Sequence, residues 1–145
     1  MNLYKELKDR QQERMNAFLH RYAFFAFSEE QYTAGLQKLG LSPDAGIVSI
    51  SGGGYLPEGK AAEFCRILEK AGAERRAALD DPESGAQFAL DMFQYELANH
   101  EYGYTGDAAE TLAALGYTPE EVQNSDRLRE ALAKAEQYCM ERAAF

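Results

Sequence analysis

Glu96 and His100 stand four residues apart in the stretch DMFQYELANHEYGYTGD, residues 91–107. On a helix that spacing sets both on one face, where a carboxylate can hold an imidazole in one tautomer. Glu101 and Asp107 follow closely, so Glu96, Asn99, His100, Glu101, Tyr102, Tyr104 and Asp107 form the candidate functional constellation. Its chemistry is metal ligation, or acid and base work by the imidazole and a carboxylate. A structural role competes with both. In that case Glu96 only pairs with His100 near a helix end, where a cationic imidazole also meets the negative end of the helix dipole, and Asp107 caps the next helix. No complete catalytic signature or zinc framework accompanies these residues, so no residue is assigned as catalytic or as a metal ligand, and no cofactor is expected.

Other features invite chemistry and answer to simpler needs. Gly52, Gly53 and Gly54 are followed by neither a G-x-x-x-x-G-K-[ST] nor a G-x-G-x-x-G pattern, which favours a bulge, a tight turn or a close backbone approach over a phosphate cradle. Cys65 and Cys139 lie far apart, outside any C-x-x-C motif, and are read as buried small apolar residues. His20, beside Arg21, reads as a helix C-terminal residue, and Tyr95 as part of the core.

The elements that must position these residues follow from periodicity and punctuation. Leu3, Leu7, Met15, Phe18 and Leu19 give a first helix over about residues 2–20, and YAFFAF at 22–27 reads as a short buried strand. Ser28 and Gln31 make a capping box for a helix that Gly40 closes. IVSIS at 47–51, the glycines, and Tyr55 with Leu56 read as two strands that complete a small sheet. A helix from about 58 to 79 stops at Asp80, Asp81 and Pro82. The next, about 83–102, is apolar around much of its circumference and must be central, with Gly103 ending it. Asp107 with Glu110 is expected to box a short helix ending at Gly116. Thr118, Pro119 and Glu121 form the strongest helix start, and a last helix covers about 126–143. LQKLGLSPD and LAALGYTPE are two uses of one helix-ending device.

The fold class is therefore α+β: a single compact domain over residues 1–145, mostly helical, with five to six helices and a two- or three-stranded sheet from about 22–27 and 47–56. A chain of 145 residues that is 46% hydrophobic has enough apolar surface for one real core. The charged N-terminal stretch does not fit a secretory signal, and no run approaches the about 18 apolar residues of a membrane span, so a cytoplasmic location is expected.

Charge is unevenly distributed. Residues 77–126 hold eleven carboxylates and neither Lys nor Arg, a formal charge of −11 within a chain of −9, which leaves +2 for the remainder. Net charge speaks to partners and association, not to fold. Glu120 and Glu121 open the helix after Thr118, which argues against a DNA-reading helix-turn-helix over 108–143.

FFAFSEEQ with GLQKLGL (24–41), SISGGGY (49–55), DMFQYELANHEYGYTGD (91–107) and LAALGYTPEEV (112–122) together resemble a family of small uncharacterised proteins carried by phages, plasmids and integrative elements of Firmicutes. The resemblance implies a setting and no activity. The resulting expectation is a non-enzymatic, cytoplasmic accessory protein that presents the acidic window of residues 77–126 to a basic, nucleic-acid-handling protein, without binding nucleic acid or membrane itself. The alternatives are a small metal- or ligand-binding enzyme centred on Glu96 and His100, and a structural homo-oligomer.

Overall fold

Leu3–Tyr22 forms helix α1, whose first turn is capped by Asn2: its Oδ1 accepts the Lys5 N–H at 2.8 Å. In the computed structural model, which describes residues 1–143, α1 is followed by β1 (Phe24–Phe25), α2 (Glu29–Lys38), β2 (Ile47–Ile50), β3 (Gly54–Pro57) and α3 (Ala61–Asp80). Five more helices complete the chain: α4 (Gly85–Asn99), α5 (Tyr102–Thr105), α6 (Ala109–Leu115), α7 (Pro119–Gln123) and α8 (Asp126–Ala143). The class is α+β, as its periodicities imply, with eight α-helices among the described residues where five to six were expected. The excess lies in single-turn elements such as α5, too short to show a period.

The chain divides into two compact units, one of Met1–Asp9 with the chain from Glu74 onward, the other of Arg10–Ala73. Helices α1 and α3 each contribute residues to both.

In the first unit α4 is the central element. Ala89, Met92, Phe93 and Leu97 are all 0% exposed, surrounded by Tyr4 and Leu7 of α1, Leu112 and Leu115 of α6, Val122 of α7, and Ala131 and Ala135 of α8. The small Ala131 and Ala135 let α8 approach α4 closely. Its N-terminus is equally tight, since a Cβ on Gly85 would meet the Leu79 carbonyl and the Arg127 guanidinium. Arg127 Nη1 donates to that carbonyl at 2.6 Å and to the Asp81 carbonyl at 3.2 Å, satisfying the end of α3.

The second unit layers a three-stranded antiparallel sheet, order β1-β3-β2, between helices. Alternation sorts its side chains. Leu56, Val48 and Ile50 face Phe18 of α1 and Phe64 and Ile67 of α3, while Phe24, Ile47 and Tyr55 face Tyr32 and Leu36 of α2. The glycine run forms the β2–β3 turn, where Gly52 and Gly53 take φ of 76° and 79°. Gly53 and Gly54 also give the close approach expected of them: a Cβ on Gly53 would meet the Phe27 ring, and one on Gly54 the Phe25 ring and Ile50.

Helix punctuation is largely as the sequence implies. Thr118 and Glu121 make both bonds of a capping box at 3.1 Å each. The α2 and α6 ends are one device used twice, because Leu41 N–H bonds Leu36 O at 2.8 Å and Tyr117 N–H bonds Leu112 O at 2.9 Å, each across a left-handed glycine, Gly40 or Gly116. Ser28 accepts the Gln31 amide as expected, yet the Gln31 side chain reaches Phe27 N–H (2.7 Å) instead of the cap amide.

Four expectations are corrected. Strand β1 is only Phe24–Phe25, because α1 continues through Tyr22. Helix α4 stops at Asn99, ahead of Gly103, since Glu101 adopts a left-handed φ of 57°. Asp107 accepts the Ala109 amide at 2.9 Å, but Glu110 makes no reciprocal bond and turns toward His100, so no box forms. Cys65 is exposed on α3, whose apolar face is carried by Phe64 and Ile67, while Cys139 is half-buried against the core of the first unit.

Candidate functional site

Helix α4 carries two carboxylates into the core of the first unit, and the sequence singled out only one. Asp91 and Glu96 are each 5% exposed. Asp91 Oδ2 accepts the Leu3 N–H at 2.8 Å, its Oδ1 accepts Gln87 Nε2 at 2.7 Å, and Asn2 Nδ2 donates to its backbone carbonyl at 3.0 Å. A carboxylate of α4 thus caps α1 across 88 residues of chain. The negative charge sits at the positive end of the α1 dipole, where it is stabilised.

One turn further, Glu96 Oε1 accepts from Lys8 Nζ at 2.8 Å and from the Tyr4 hydroxyl at 3.2 Å, and Oε2 lies 3.7 Å from His100 Nε2. Tyr4 and Lys8 are themselves four residues apart on α1, and the Lys8 ammonium also sits 5.1 Å from the Tyr95 ring centroid. Burial and the adjacent Glu96 carboxylate push the Tyr4 phenol well above its ordinary value, so it stays a neutral donor. All this is the arrangement of a satisfied buried charge: one oxygen is held by a cation and a hydroxyl, and the other faces an imidazole.

The remaining members of the constellation diverge. His100 is half-buried at the C-terminal end of α4, and its Nδ1 lies 4.0 Å from Glu110 Oε2, so the second carboxylate beside it is neither Glu101 nor Asp107. Tyr102 points inward and donates its hydroxyl to Glu136 Oε2 at 2.7 Å, tying α5 to α8. That bond, with burial, pushes the Tyr102 phenol up to about 12. Asn99, Glu101 and Asp107 are exposed, and Tyr104 is 90% exposed. Among the described residues no group of three or more His, Cys, Asp and Glu side chains is arranged to hold a metal ion.

Sequence spacing therefore found the Glu96–His100 pair and missed Tyr4, Lys8, Asp91, Glu110 and Glu136. Lys8 and Tyr4 lie 88 and 92 residues from Glu96, a separation over which periodicity carries no signal. For Asp91 there was a faint clue, a charged residue among Phe88, Leu90, Met92 and Phe93 on a helix apolar nearly all round.

A family model matches residues 3–138, which takes in every element from α1 through most of α8. The chain belongs to a family of unknown function (DUF7659). No curated protein and no solved structure matches it. Membership in DUF7659 brings no activity to Glu96 or His100, so their roles rest on the geometry above. Among the described residues no helix is long and apolar enough to cross a membrane.

Proposed function

We propose that this protein is a non-enzymatic binding module that presents an acidic surface to a basic, nucleic-acid-handling protein in the cytoplasm of a bacterial host. The observation that carries this reading is the partition of charge. The unit of Arg10–Ala73 has seven acidic and seven basic residues, so the whole −9 belongs to the unit of Met1–Asp9 and the chain from Glu74 onward. Of the eleven carboxylates between residues 77 and 126, eight are exposed, Asp81 is half-exposed, and Asp91 and Glu96 are buried in structural roles. Asp80, Glu83, Glu101, Asp107, Glu120 and Glu121 have no ion pair among the described residues. Unpaired, exposed carboxylates of one sign steer a cationic partner and compete with nucleic acid for its basic groove. The resemblance to proteins of phages, plasmids and integrative elements supplies the setting, an accessory protein of a mobile element acting on host machinery.

An enzyme centred on Glu96 and His100 is the weaker reading, since Lys8 and Tyr4 already occupy the Glu96 oxygen a base would use. The test is paired capture from nuclease-treated bacterial lysate by wild type and by a Glu101→Lys, Asp107→Lys, Glu110→Lys variant. A basic protein held by wild type at low salt, released at high salt or by duplex DNA, and absent from the variant supports the reading. Equal capture by both chains, or capture by neither, removes it.

A further inference from the structure

The outer edge of β1 opens into a cavity of about 710 Å³ in the second unit. Its walls are one face of α1 (Asn16, Leu19, His20) and one face of α2 (Gln31, Ala34, Lys38), and its floor includes Phe24 and Phe25. The two helices cover opposite faces of the sheet. The space between them is therefore where a further strand would lie beside β1.

The backbone there is open. Strand pairing matches Phe24 with Tyr55 and Phe25 with Gly54, and the Ala26 N–H bonds Gly53 O at 3.0 Å. Hydrogen-bonded and non-bonded pairs alternate in an antiparallel ladder, so the Phe24–Tyr55 pair is bonded and the Phe25–Gly54 pair is not. The Phe25 N–H and C=O consequently point away from β3, toward the cavity, and Phe25 is 48% exposed.

Charge is the second, independent observation. In a chain with 24 carboxylates, none lines this cavity. Its ionisable lining residues are His20 and Lys38, and among the described residues neither side chain makes an ion pair or hydrogen bond. The α2 carboxylates Glu29 and Glu30 lie in the first turn, at the opposite end from Lys38.

We propose that this groove binds an extended acidic peptide segment, which adds to the free edge of β1 through the Phe25 N–H and C=O and sets its carboxylates against Lys38 and His20. Main-chain bonds at a sheet edge give affinity, and the flanking groups give selectivity. Successive residues of an added strand point to opposite faces, so two adjacent carboxylates reach Lys38 on α2 and His20 on α1, and apolar guest residues on either side of them pack on Leu19, Ala23 and Phe24. This site belongs to the Arg10–Ala73 unit and stands or falls independently of the acidic surface proposed above.

The experiment is an amide NMR titration of the full chain with acetyl-Val-Glu-Glu-Val-amide, whose adjacent carboxylates face α1 and α2 in turn. Shifts confined to the 16–20 face of α1, residues 23–25 and the 31–38 face of α2 are expected, with the Phe25 amide moving downfield and its hydrogen exchange slowing at least tenfold. The lysine counterpart, acetyl-Val-Lys-Lys-Val-amide, should leave these residues unmoved. A His20→Glu, Lys38→Glu variant, altered only at exposed positions, should keep its circular dichroism and bind the acidic peptide at least tenfold more weakly. Equal binding of both peptides, shifts at the other sheet edge on β2, or no shift at millimolar peptide overturns the proposal. So does octanoate shifting the same residues while the peptide is silent, which makes the groove a small-anion pocket. Peptide-free shifts at 23–25 that grow with protein concentration give the groove to a second copy of the chain.

Discussion

Asp91 Oδ2 accepts a hydrogen bond of 2.8 Å from the backbone N–H of Leu3, so a buried side chain in the middle of α4 supplies the cap for the first helix. Helix starts normally find their acceptor within a few residues. Here Asn2 caps one amide locally and Asp91 takes another, which makes the folding of α1 depend on α4.

Removing that acceptor strands the Leu3 amide and the Gln87 side-chain amide together. Asp91→Ala should lower stability by about 2–3 kcal/mol, the range for losing a charged hydrogen-bond partner in a buried site. Asp91→Asn, which keeps one acceptor oxygen, should lose less. Urea unfolding checks both, and a midpoint for Asp91→Ala equal to that of wild type would show that water replaces the carboxylate without cost.

Lys8 and Glu96 give a second test through their asymmetry. Glu96 is buried while the Lys8 side chain is 40% exposed, so Lys8→Met leaves a carboxylate stranded with only Tyr4 and His100. The expected loss is about 1–3 kcal/mol, below the full cost of breaking a buried pair because Lys8 is partly hydrated. Lys8→Met with Glu96→Gln should recover part of that loss, and a double-mutant cycle in chemical denaturation measures the coupling. Strictly additive losses would mean that the pair contributes nothing beyond its separate contacts.

At Gly53 a methyl group is opposed twice, by a φ of 79° and by the Phe27 ring. Gly53→Ala should cost about 1–3 kcal/mol from the backbone conformation and the clash together. Gly59→Ala, where nothing lies within 4 Å of the added carbon, is the matched control and should change the melting temperature little. Equal melting temperatures for the two variants would contradict the close approach of Phe27 to the turn.

Stability should fall in strong alkali through Tyr102. Its folded pKa, about 12, is raised first by the hydrogen bond to Glu136 and then by burial, above the about 10 of a free phenol. The folded state therefore holds a proton that the unfolded state has already released. Its stabilising contribution is full below pH about 10 and declines as pH rises toward 12. Tyr102→Phe should flatten that part of the stability profile, measured as unfolding midpoint against pH from 8 to 12. An unchanged slope in Tyr102→Phe assigns the alkaline loss to other phenols, Tyr4 and Tyr117, whose pKa values burial also raises.

Much of the fold is legible locally because its signals are local. The Thr118–Glu121 box, the paired Gly40 and Gly116 helix ends and the all-round apolarity of α4 each fit within a few turns of chain, and each appears where its residues place it. Short elements are the least legible for the same reason: β1 lies within the expected strand at 22–27 but spans only two residues, and α5, with four, sets no period at all.

The candidate site divides along that line. The Glu96–His100 relationship follows from a helix repeat of 3.6 residues, and the sequence alone determines it together with the fold class and the charge partition. Only the tertiary structure decides that Lys8 and Tyr4 hold Glu96, that Asp91 caps α1, that Tyr102 turns inward to Glu136, and that the Phe25 edge opens between α1 and α2. Those contacts join residues 34 to 92 positions apart, or depend on which strand lies outermost. Burial drives these associations without regard to sequence separation, and a hydrophobic face names what it must cover, not which distant residue will cover it.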